Sequence, residues 1–164
     1  MNCVVITVSD KGSQGLREDT AGPAVSNLLE QNDYQVLENS IIPDDFDLIV
    51  NTLEEYVSKD INLILTVGGT GYSKRDVTPE ATNKVVTRLT PGLNETMRYQ
   101  SSKVTNRAML SRASSGIKDN SLIINLPGSK KASVENLKFI LPSLKHGLDI
   151  LLGNDSNCGV EVKK

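Results

Sequence analysis

The sequence predicts an α/β fold: a single three-layer domain in which a mostly parallel sheet carries helices on both faces. Short runs rich in Val, Ile and Leu alternate with stretches whose apolar residues recur at helical spacing. The run 61–67 is almost entirely apolar, as is typical of a strand covered on both faces. A length of 164 residues suits one domain. We assign residues 1–153 to this domain and residues 154–164 to a polar C-terminal tail.

The first part of the chain reads as strand, helix, strand, helix. Residues 4–8 predict a strand, and the polar residues 11–20 predict a loop. Pro23 lies early in the following helix, where its missing N–H costs nothing. Residues 34–42 predict a second strand, and Asp44 is the predicted N-cap of the next helix. The 3–4 spacing in that helix predicts one buried face, made of Phe46, Ile49, Val50, Leu53, Tyr56 and Val57.

Prolines mark the predicted helix boundaries after residue 71. Thr78 is the predicted cap of a helix in which Pro79 takes the first position. Pro91-Gly92 is predicted to end that helix, and residues 93–111 predict another, weakly patterned helix.

The C-terminal part predicts a hairpin and a long helix. Residues 113–117 and 121–125 flank a turn at 118–120. A helix over 131–152 follows, and we expect Pro142 to interrupt it.

Composition argues against several classes of protein. A net charge of −2, a pI of about 5.4 and scattered Lys and Arg argue against nucleic-acid binding. No apolar run approaches the roughly 18 residues that span a bilayer, so no membrane association is expected. The two cysteines, Cys3 and Cys158, lie outside any metal-binding motif and favour a reducing, cytoplasmic location. We expect Cys3 to be buried.

The strongest local signal is Gly68-Gly69-Thr70-Gly71, directly after the apolar run. Glycines let backbone N–H groups approach an anion closely, so this loop suits a phosphate. A tight turn without any ligand explains the same residues equally well. In a parallel sheet the carboxyl ends of the strands meet at one edge, which should bring Ser9-Asp10, the glycine loop and Leu126-Pro127-Gly128 together.

Two carboxylates near this loop suggest a cation site. Asp44 follows the second strand, and Asp76 follows the glycine loop by five residues. Oxygen ligands beside a phosphate loop are the usual means of holding Mg²⁺. A structural role at a helix start is an equal alternative for Asp44.

Residue types also limit the chemistry. His146 is the only histidine, and a position on the surface of the last helix is its simplest interpretation, which disfavours a Ser-His-Asp or Cys-His catalytic unit. Arg75, Arg98 and Arg112 are candidate phosphate partners, although exposed salt bridges explain each equally well.

Several segments, in order, resemble the molybdopterin adenylyltransferase family, which includes MogA- and MoaB-like molybdenum cofactor biosynthesis proteins. The match covers residues 4 to about 150. Its segments are Thr7-Val8-Ser9-Asp10, Asp19-Thr20-Ala21-Gly22-Pro23, Pro43-Asp44, Gly68-Gly69-Thr70-Gly71, Arg75-Asp76-Val77-Thr78-Pro79-Glu80-Ala81, Pro91-Gly92, Ala108-Met109-Leu110-Ser111-Arg112 and Ile123-Ile124-Asn125-Leu126-Pro127-Gly128.

The resemblance implies a molybdopterin-binding domain-like fold, usually a homotrimer, and the Mg²⁺-dependent adenylylation of molybdopterin by ATP with release of pyrophosphate. It further implies that the product passes to a molybdenum insertase. Asp44 and Asp76 match the catalytic aspartates, which are also the candidate Mg²⁺ ligands. The implied pterin- and nucleotide-binding residues are Ser9, Asp10, Gly68, Gly69, Thr70, Gly71, Thr78, Pro79, Glu80, Ser111, Arg112, Leu126, Pro127 and Gly128.

Two alternatives stay open at this point. The sister group, the molybdenum cofactor biosynthesis B proteins, shares most of these loops, so the chain is alternatively a non-catalytic molybdopterin carrier. A ligand-sensing or scaffold module, whose glycine loop is only a turn, is the third hypothesis.

Overall fold

The computed structural model describes residues 1–154, and it has the predicted α/β architecture. The polar tail predicted over 154–164 and Cys158 lie outside the described residues, apart from Asn154. The strands within 1–154 are β1 (Asn2–Val8), β2 (Gln35–Ile42), β3 (Leu63–Val67), β4 (Arg88–Leu89), β5 (Ser115–Lys118) and β6 (Ser121–Leu126). The helices are α1 (Asp10–Ser13), α2 (Ala21–Glu30), α3 (Phe46–Ser58), α4 (Thr78–Val85), α5 (Pro91–Ser102), a 3₁₀ helix (Asn106–Leu110) and α6 (Lys130–Leu151).

The strands form one sheet in the order β2-β1-β3-β6-β5-β4. The four strands β2, β1, β3 and β6 are parallel, whereas β5 and β4 add an antiparallel edge. Val67 pairs with Thr7 on one side and with Leu126 on the other. The carboxyl ends of β1, β3 and β6 therefore lie side by side, which positions the loops that follow them.

The core has two parts because side chains alternate across the sheet. On one face, residues such as Val5 and Leu65 pack with α2, α5 and α6. On the other, Ile6 and Ile64 pack with α3 and α4. Each such side chain is essentially fully buried and contributes about 1.5–3 kcal/mol of hydrophobic stabilisation.

Two predicted helix starts are wrong by one residue. The N-cap of α3 is Asp45, whose carboxylate accepts from the Leu48 N–H at 2.9 Å. Asp44 instead uses its carboxylate in a contact with another loop. In α4 the N-cap position belongs to Val77, Thr78 is already helical, and no side chain caps the helix.

Prolines also differ from their predicted roles. Pro91 begins α5 and does not end α4, which stops at Val85. Pro142 lies inside an uninterrupted α6, so the helix tolerates the loss of one backbone hydrogen bond there. Of the helix predicted over 93–111, residues 93–102 are helical and form most of α5, and a break separates them from the 3₁₀ helix.

Two further expectations need correction. The segment predicted as a loop over 11–20 begins with the short helix α1, whose first turn is capped by Ser9 accepting from the Gly12 N–H at 3.1 Å. On α3, Phe46 is 39% exposed and so does not belong to the predicted buried face.

Candidate active site

The three polar segments that follow β1, β3 and β6 converge, as the sequence predicts. The Gly68 N–H donates to the carbonyl of Leu126 at 3.0 Å, which ties the glycine loop to the end of β6. A Cβ on Gly68 would overlap the carbonyl oxygen of Val8 and lie 3.9 Å from the Cα of Gly128. The loops are therefore packed backbone against backbone at one edge of the sheet.

The glycine loop adopts a conformation that side chains disfavour. Gly68 has a φ of 111° and Gly69 a φ of 62°. A Cβ on Gly69 would overlap the hydroxyl of Thr78 and lie 3.1 Å from Asp44 Oδ1. The turn itself thus requires these glycines, with or without a ligand.

Asp44 is held by a reciprocal pair of hydrogen bonds with Asp10. The Asp10 N–H donates to Asp44 Oδ2 at 2.8 Å, and the Asp44 N–H donates to Asp10 Oδ1 at 3.0 Å. The guanidinium of Arg75 donates to both oxygens of Asp10, at 2.9 and 3.0 Å. These contacts join the loops that follow β1, β2 and β3.

This arrangement shifts the pKa values of two carboxyl groups, Asp44 and Asp10, in opposite directions. Burial raises the pKa of Asp44 above its usual value, and the negative charges of Asp10 and Asp76 raise it further. The hydrogen bond from the Asp10 N–H and the positive charge of Arg75 lower it, but these effects are outweighed. The hydrogen bonds from Arg75 instead hold the pKa of Asp10 below its usual value. A cation near Asp44 would therefore stabilise the ionised form of this carboxylate.

Asp76 lies against the end of the glycine loop, at Gly71. Its Oδ2 accepts from the Ser73 N–H at 3.0 Å and lies 2.9 Å from the position that a Cβ on Gly71 would take. Arg112 braces this segment by donating to the Gly71 carbonyl at 2.6 Å and to the Asp76 carbonyl at 2.5 Å, and it also pairs with Glu80. The guanidinium of Arg112 is thus engaged in holding the loop.

Asp44 and Asp76 line a common cavity of about 310 Å³, here called the aspartate cavity. Backbone and side chains from the three converging loops form its walls. They include Ser9, Gly12, Gly68, Gly69, Gly128, Ser129 and the charged residues Arg17, Glu18, Asp19 and Lys130.

A second cavity of about 290 Å³, here called the Met97 cavity, lies beyond the same loop. Its walls come from the end of the glycine loop, α5, the 3₁₀ helix and the start of α6. They include Thr70, Gly71, Asn94, Met97, Arg98, Leu110, Ser111, Ala113, Pro127 and Ala132. The glycine loop therefore separates two cavities, with Gly68-Gly69 facing one and Thr70-Gly71 facing the other.

The predicted site residues fall into three groups. Ser9, Asp44, Gly68, Gly69, Asp76 and Gly128 line the aspartate cavity. Thr70, Gly71, Ser111 and Pro127 line the Met97 cavity. The remaining residues line neither cavity: Asp10, Thr78, Pro79, Glu80, Arg112 and Leu126.

The structure also brings in residues that sequence reasoning missed. Arg17 and Lys130 are cations in the wall of the aspartate cavity. Asp19 shares that wall, where its carboxylate accepts from the Thr7 hydroxyl at 2.6 Å and from the N–H groups of Ala21 and Gly22. A carboxylate just before a helix start is a capping signal, but nothing local in the sequence marks Arg17 or Lys130.

Residues 1–154 contain neither a cluster of metal-binding side chains nor a membrane-spanning helix. In that range, no three His, Cys, Asp or Glu side chains are grouped so as to hold a metal ion by themselves. No helix there is long and apolar enough to cross a membrane.

Comparison with known proteins places this geometry in a family. The probable molybdopterin binding domain matches residues 4–146. Over 156 residues the chain is 42% identical to the molybdopterin adenylyltransferase of Helicobacter pylori strain 26695, which covers 92% of this chain and 87% of that protein.

Solved structures agree with this assignment. The molybdopterin biosynthesis enzyme MoaB from Thermus thermophilus superposes with a TM-score of 0.88 at 40% identity, over 93% of this chain and 96% of that one. The tungsten cofactor synthesizing protein MoaB from Pyrococcus furiosus superposes with a TM-score of 0.84 at 30% identity, over 92% and 96%. The chain belongs to the family of probable molybdopterin binding domains, among the MogA- and MoaB-like proteins of molybdenum cofactor biosynthesis.

Proposed function

We propose that this protein is a molybdopterin adenylyltransferase, which transfers AMP from ATP to molybdopterin and releases pyrophosphate. The observation that carries the proposal is the pair Asp44 and Asp76, which line one cavity beside a glycine loop that has a second cavity on its other side. The name of the Helicobacter pylori relative, at 42% identity, supports the same reaction.

The two cavities suit the two substrates. The aspartate cavity offers carboxylates, a hydroxyl and glycine backbone, which suits the phosphates of a nucleotide with its metal ion. The Met97 cavity offers apolar walls with a few polar groups, which suits a pterin ring. The shared glycine loop would then hold the reacting phosphates between them.

Asp44 and Asp76 are the residues that would hold Mg²⁺. Each uses Oδ2 to accept a backbone N–H and has Oδ1 as a further oxygen ligand. The raised pKa of Asp44, caused first by burial, fits a carboxylate whose charge a cation would offset. The metal would neutralise the triphosphate and the charge that develops on it.

The protein's own contribution is positioning. The terminal phosphate of molybdopterin is already anionic near neutral pH, since its second pKa is about 6, so no general base is needed. In residues 1–154, the walls of the two cavities contain neither His nor Cys. The loops hold the nucleophile and the α-phosphate in line, and the glycines admit them close to backbone N–H groups.

The test is anaerobic incubation with molybdopterin and Mg²⁺-ATP, in which pyrophosphate release is followed for the wild type and for Asp76→Asn. We expect release by the wild type and a fall of about 100-fold in the variant. Asp47→Asn, an exposed carboxylate on α3, is the matched control and should release at the wild-type rate.

Binding without release identifies the alternative function. If the wild type binds molybdopterin but releases no pyrophosphate, the chain is a carrier, as in the sister group, and both aspartates are structural. If neither molybdopterin nor ATP raises its melting temperature, the sensing or scaffold hypothesis is favoured.

The remaining expectations follow from the family resemblance. We expect a cytoplasmic homotrimer that passes adenylylated molybdopterin to a molybdenum insertase. Light scattering on the eluted protein would measure the mass of the assembly, and a mass other than three protomers would contradict the trimer.

A further inference from the structure

Two cations in the aspartate cavity have no side-chain partner among residues 1–154. Arg17 lies in the loop before α2, and Lys130 is the first residue of α6. Within residues 1–154, neither side chain forms an ion pair or hydrogen bond, whereas Arg75 and Arg112 are both engaged by carboxylates. Both are exposed, and both lie in the wall of the cavity that contains the catalytic aspartates.

The charge of the cavity explains what these cations could bind. Its walls carry two cations against four carboxylates: Arg17 and Lys130 against Glu18, Asp19, Asp44 and Asp76. The carboxylate of Asp19 is occupied by Thr7 and by backbone N–H groups. Without a metal ion this cavity would repel a polyphosphate, whereas a divalent ion at Asp44 and Asp76 leaves Arg17 and Lys130 as the positive groups that face an anion.

Arg17 and Lys130 lie on the side of the glycine loop away from the Met97 cavity. Under the proposed function, the nucleophilic phosphate arrives from the Met97 cavity, past Thr70 and Gly71. In phosphoryl and nucleotidyl transfer the attacking and leaving oxygens lie roughly in line across the reacting phosphorus. The leaving group must therefore lie on the opposite side of the glycine loop, within the aspartate cavity.

We infer that Arg17 and Lys130 bind the β- and γ-phosphates of the nucleotide and stabilise pyrophosphate as it leaves. In this step an oxygen of the pterin phosphate forms a bond to the α-phosphorus. The bond from the α-phosphorus to the bridging oxygen breaks, and pyrophosphate departs with that electron pair. The inference rests on the proposed function for the side from which the nucleophile attacks, but the binding of pyrophosphate that it assigns can be measured without turnover.

The experiment is calorimetric titration of the full chain with inorganic pyrophosphate in the presence of Mg²⁺, and separately with AMP. The variants are Arg17→Gln and Lys130→Gln. The matched control is Lys131→Gln, because the neighbouring Lys131 side chain is 78% exposed, pairs with Glu135 and lies outside the aspartate cavity. Circular dichroism confirms that each variant is folded.

We expect each variant to lose about tenfold in affinity for pyrophosphate, the scale of one charge-assisted hydrogen bond. Affinity for AMP should change less than twofold, and Lys131→Gln should bind both as the wild type does. Omission of Mg²⁺ should abolish pyrophosphate binding to the wild type, because the cavity then has a net negative wall.

Three results would overturn the inference. In the first, the wild type fails to bind pyrophosphate. In the second, the two variants bind pyrophosphate as tightly as the wild type does. In the third, the variants lose as much affinity for AMP as for pyrophosphate. The last result would assign the cations to the nucleoside monophosphate. Absence of turnover with molybdopterin, by contrast, would refute the proposed function and leave the measured pyrophosphate site standing.

Discussion

Gly69 is the residue of the glycine loop with the least room for a side chain. It has a φ of 62°, and a Cβ there would overlap the Thr78 hydroxyl and approach Asp44 Oδ1. The buried Thr78 hydroxyl has no hydrogen-bond partner among residues 1–154, so it is held there by packing alone. The loop, the first turn of α4 and the carboxylate of Asp44 thus lie close together at this single position.

Gly69→Ala should therefore damage stability and the site together. We expect a loss of about 1–3 kcal/mol in the free energy of unfolding, from backbone strain and the displaced hydroxyl. Pyrophosphate release should fall as well, because Asp44 must move. Urea unfolding and the release assay measure the two effects.

Gly147→Ala is the matched control for that substitution. Gly147 lies inside α6, and a Cβ there meets no atom within 4 Å. Alanine should stabilise the helix by about 0.5–1 kcal/mol. Equal unfolding midpoints for the two glycine variants would contradict the steric argument.

At the scale of secondary-structure elements, the start of α3 divides helix capping and the lining of the candidate site between two neighbouring residues. The neighbouring residues Asp44 and Asp45 have the same side chain, but Asp45 caps the helix and Asp44 faces the aspartate cavity. A capping rule applied to the sequence cannot choose between two adjacent aspartates. The tertiary contact with Asp10 decides, and it lies 34 residues away in the chain.

The two aspartates should respond differently to removal. Asp45→Ala should lose about 1 kcal/mol of stability, the value of an N-cap, and keep its rate of pyrophosphate release. Asp44→Ala should lose most of that rate. Thermal unfolding and the release assay on both variants test this division, and a large loss of rate in Asp45→Ala would refute it.

The long helix α6 contains an internal proline that the sequence predicted to break it. Pro142 is exposed, and the helix is continuous from Lys130 to Leu151 because the buried residues on both sides of it pack on the sheet. Packing of an apolar face outweighs the cost of one missing hydrogen bond and a steric clash, about 3 kcal/mol.

Pro142→Ala should accordingly stabilise the protein. We expect a gain of about 1–3 kcal/mol, reduced by the greater freedom of the unfolded chain. The neighbouring exposed Ser143→Ala should change stability by only a few tenths of a kcal/mol. If Pro142→Ala melts at or below the wild-type temperature, the helix does not have a strained turn there.

At the scale of the whole molecule, the sequence predicted β1, β3 and β6 because they are buried runs rich in Val, Ile and Leu, whereas β4, with two exposed residues, was not predicted. The parallel order then brought Ser9, Gly68 and Gly128 to one edge without any further information. The division into two cavities was not predictable, since it depends on how α5 and the 3₁₀ helix pack beyond the glycine loop. Arg17 was missed because a cation in a polar loop has no local sequence pattern that marks it as part of a site.

The burial of β1 inside the sheet makes stability sensitive to alkaline pH. Cys3 is fully buried, and burial raises the pKa of its thiol from the ordinary value of 9.0 to about 12. Its thiol donates to the carbonyl of Gln35 at 3.4 Å. Above pH 9 the unfolded chain releases a proton that the folded chain keeps, so the free energy of unfolding decreases as pH rises from 9 towards 12.

Removal of the thiol should weaken this dependence. In a Cys158→Ser background, which leaves Cys3 as the only thiol, we compare the parent with Cys3→Ala by urea unfolding between pH 8 and about 10.5. Cys3→Ala should be less stable at pH 8, because it leaves a small cavity, and should lose stability less steeply above pH 9. The buried Tyr34 and Tyr56, whose pKa values burial raises to about 12, leave a residual slope in both proteins. Identical slopes would mean that Cys3 titrates alike in the folded and unfolded states, which contradicts its burial in β1.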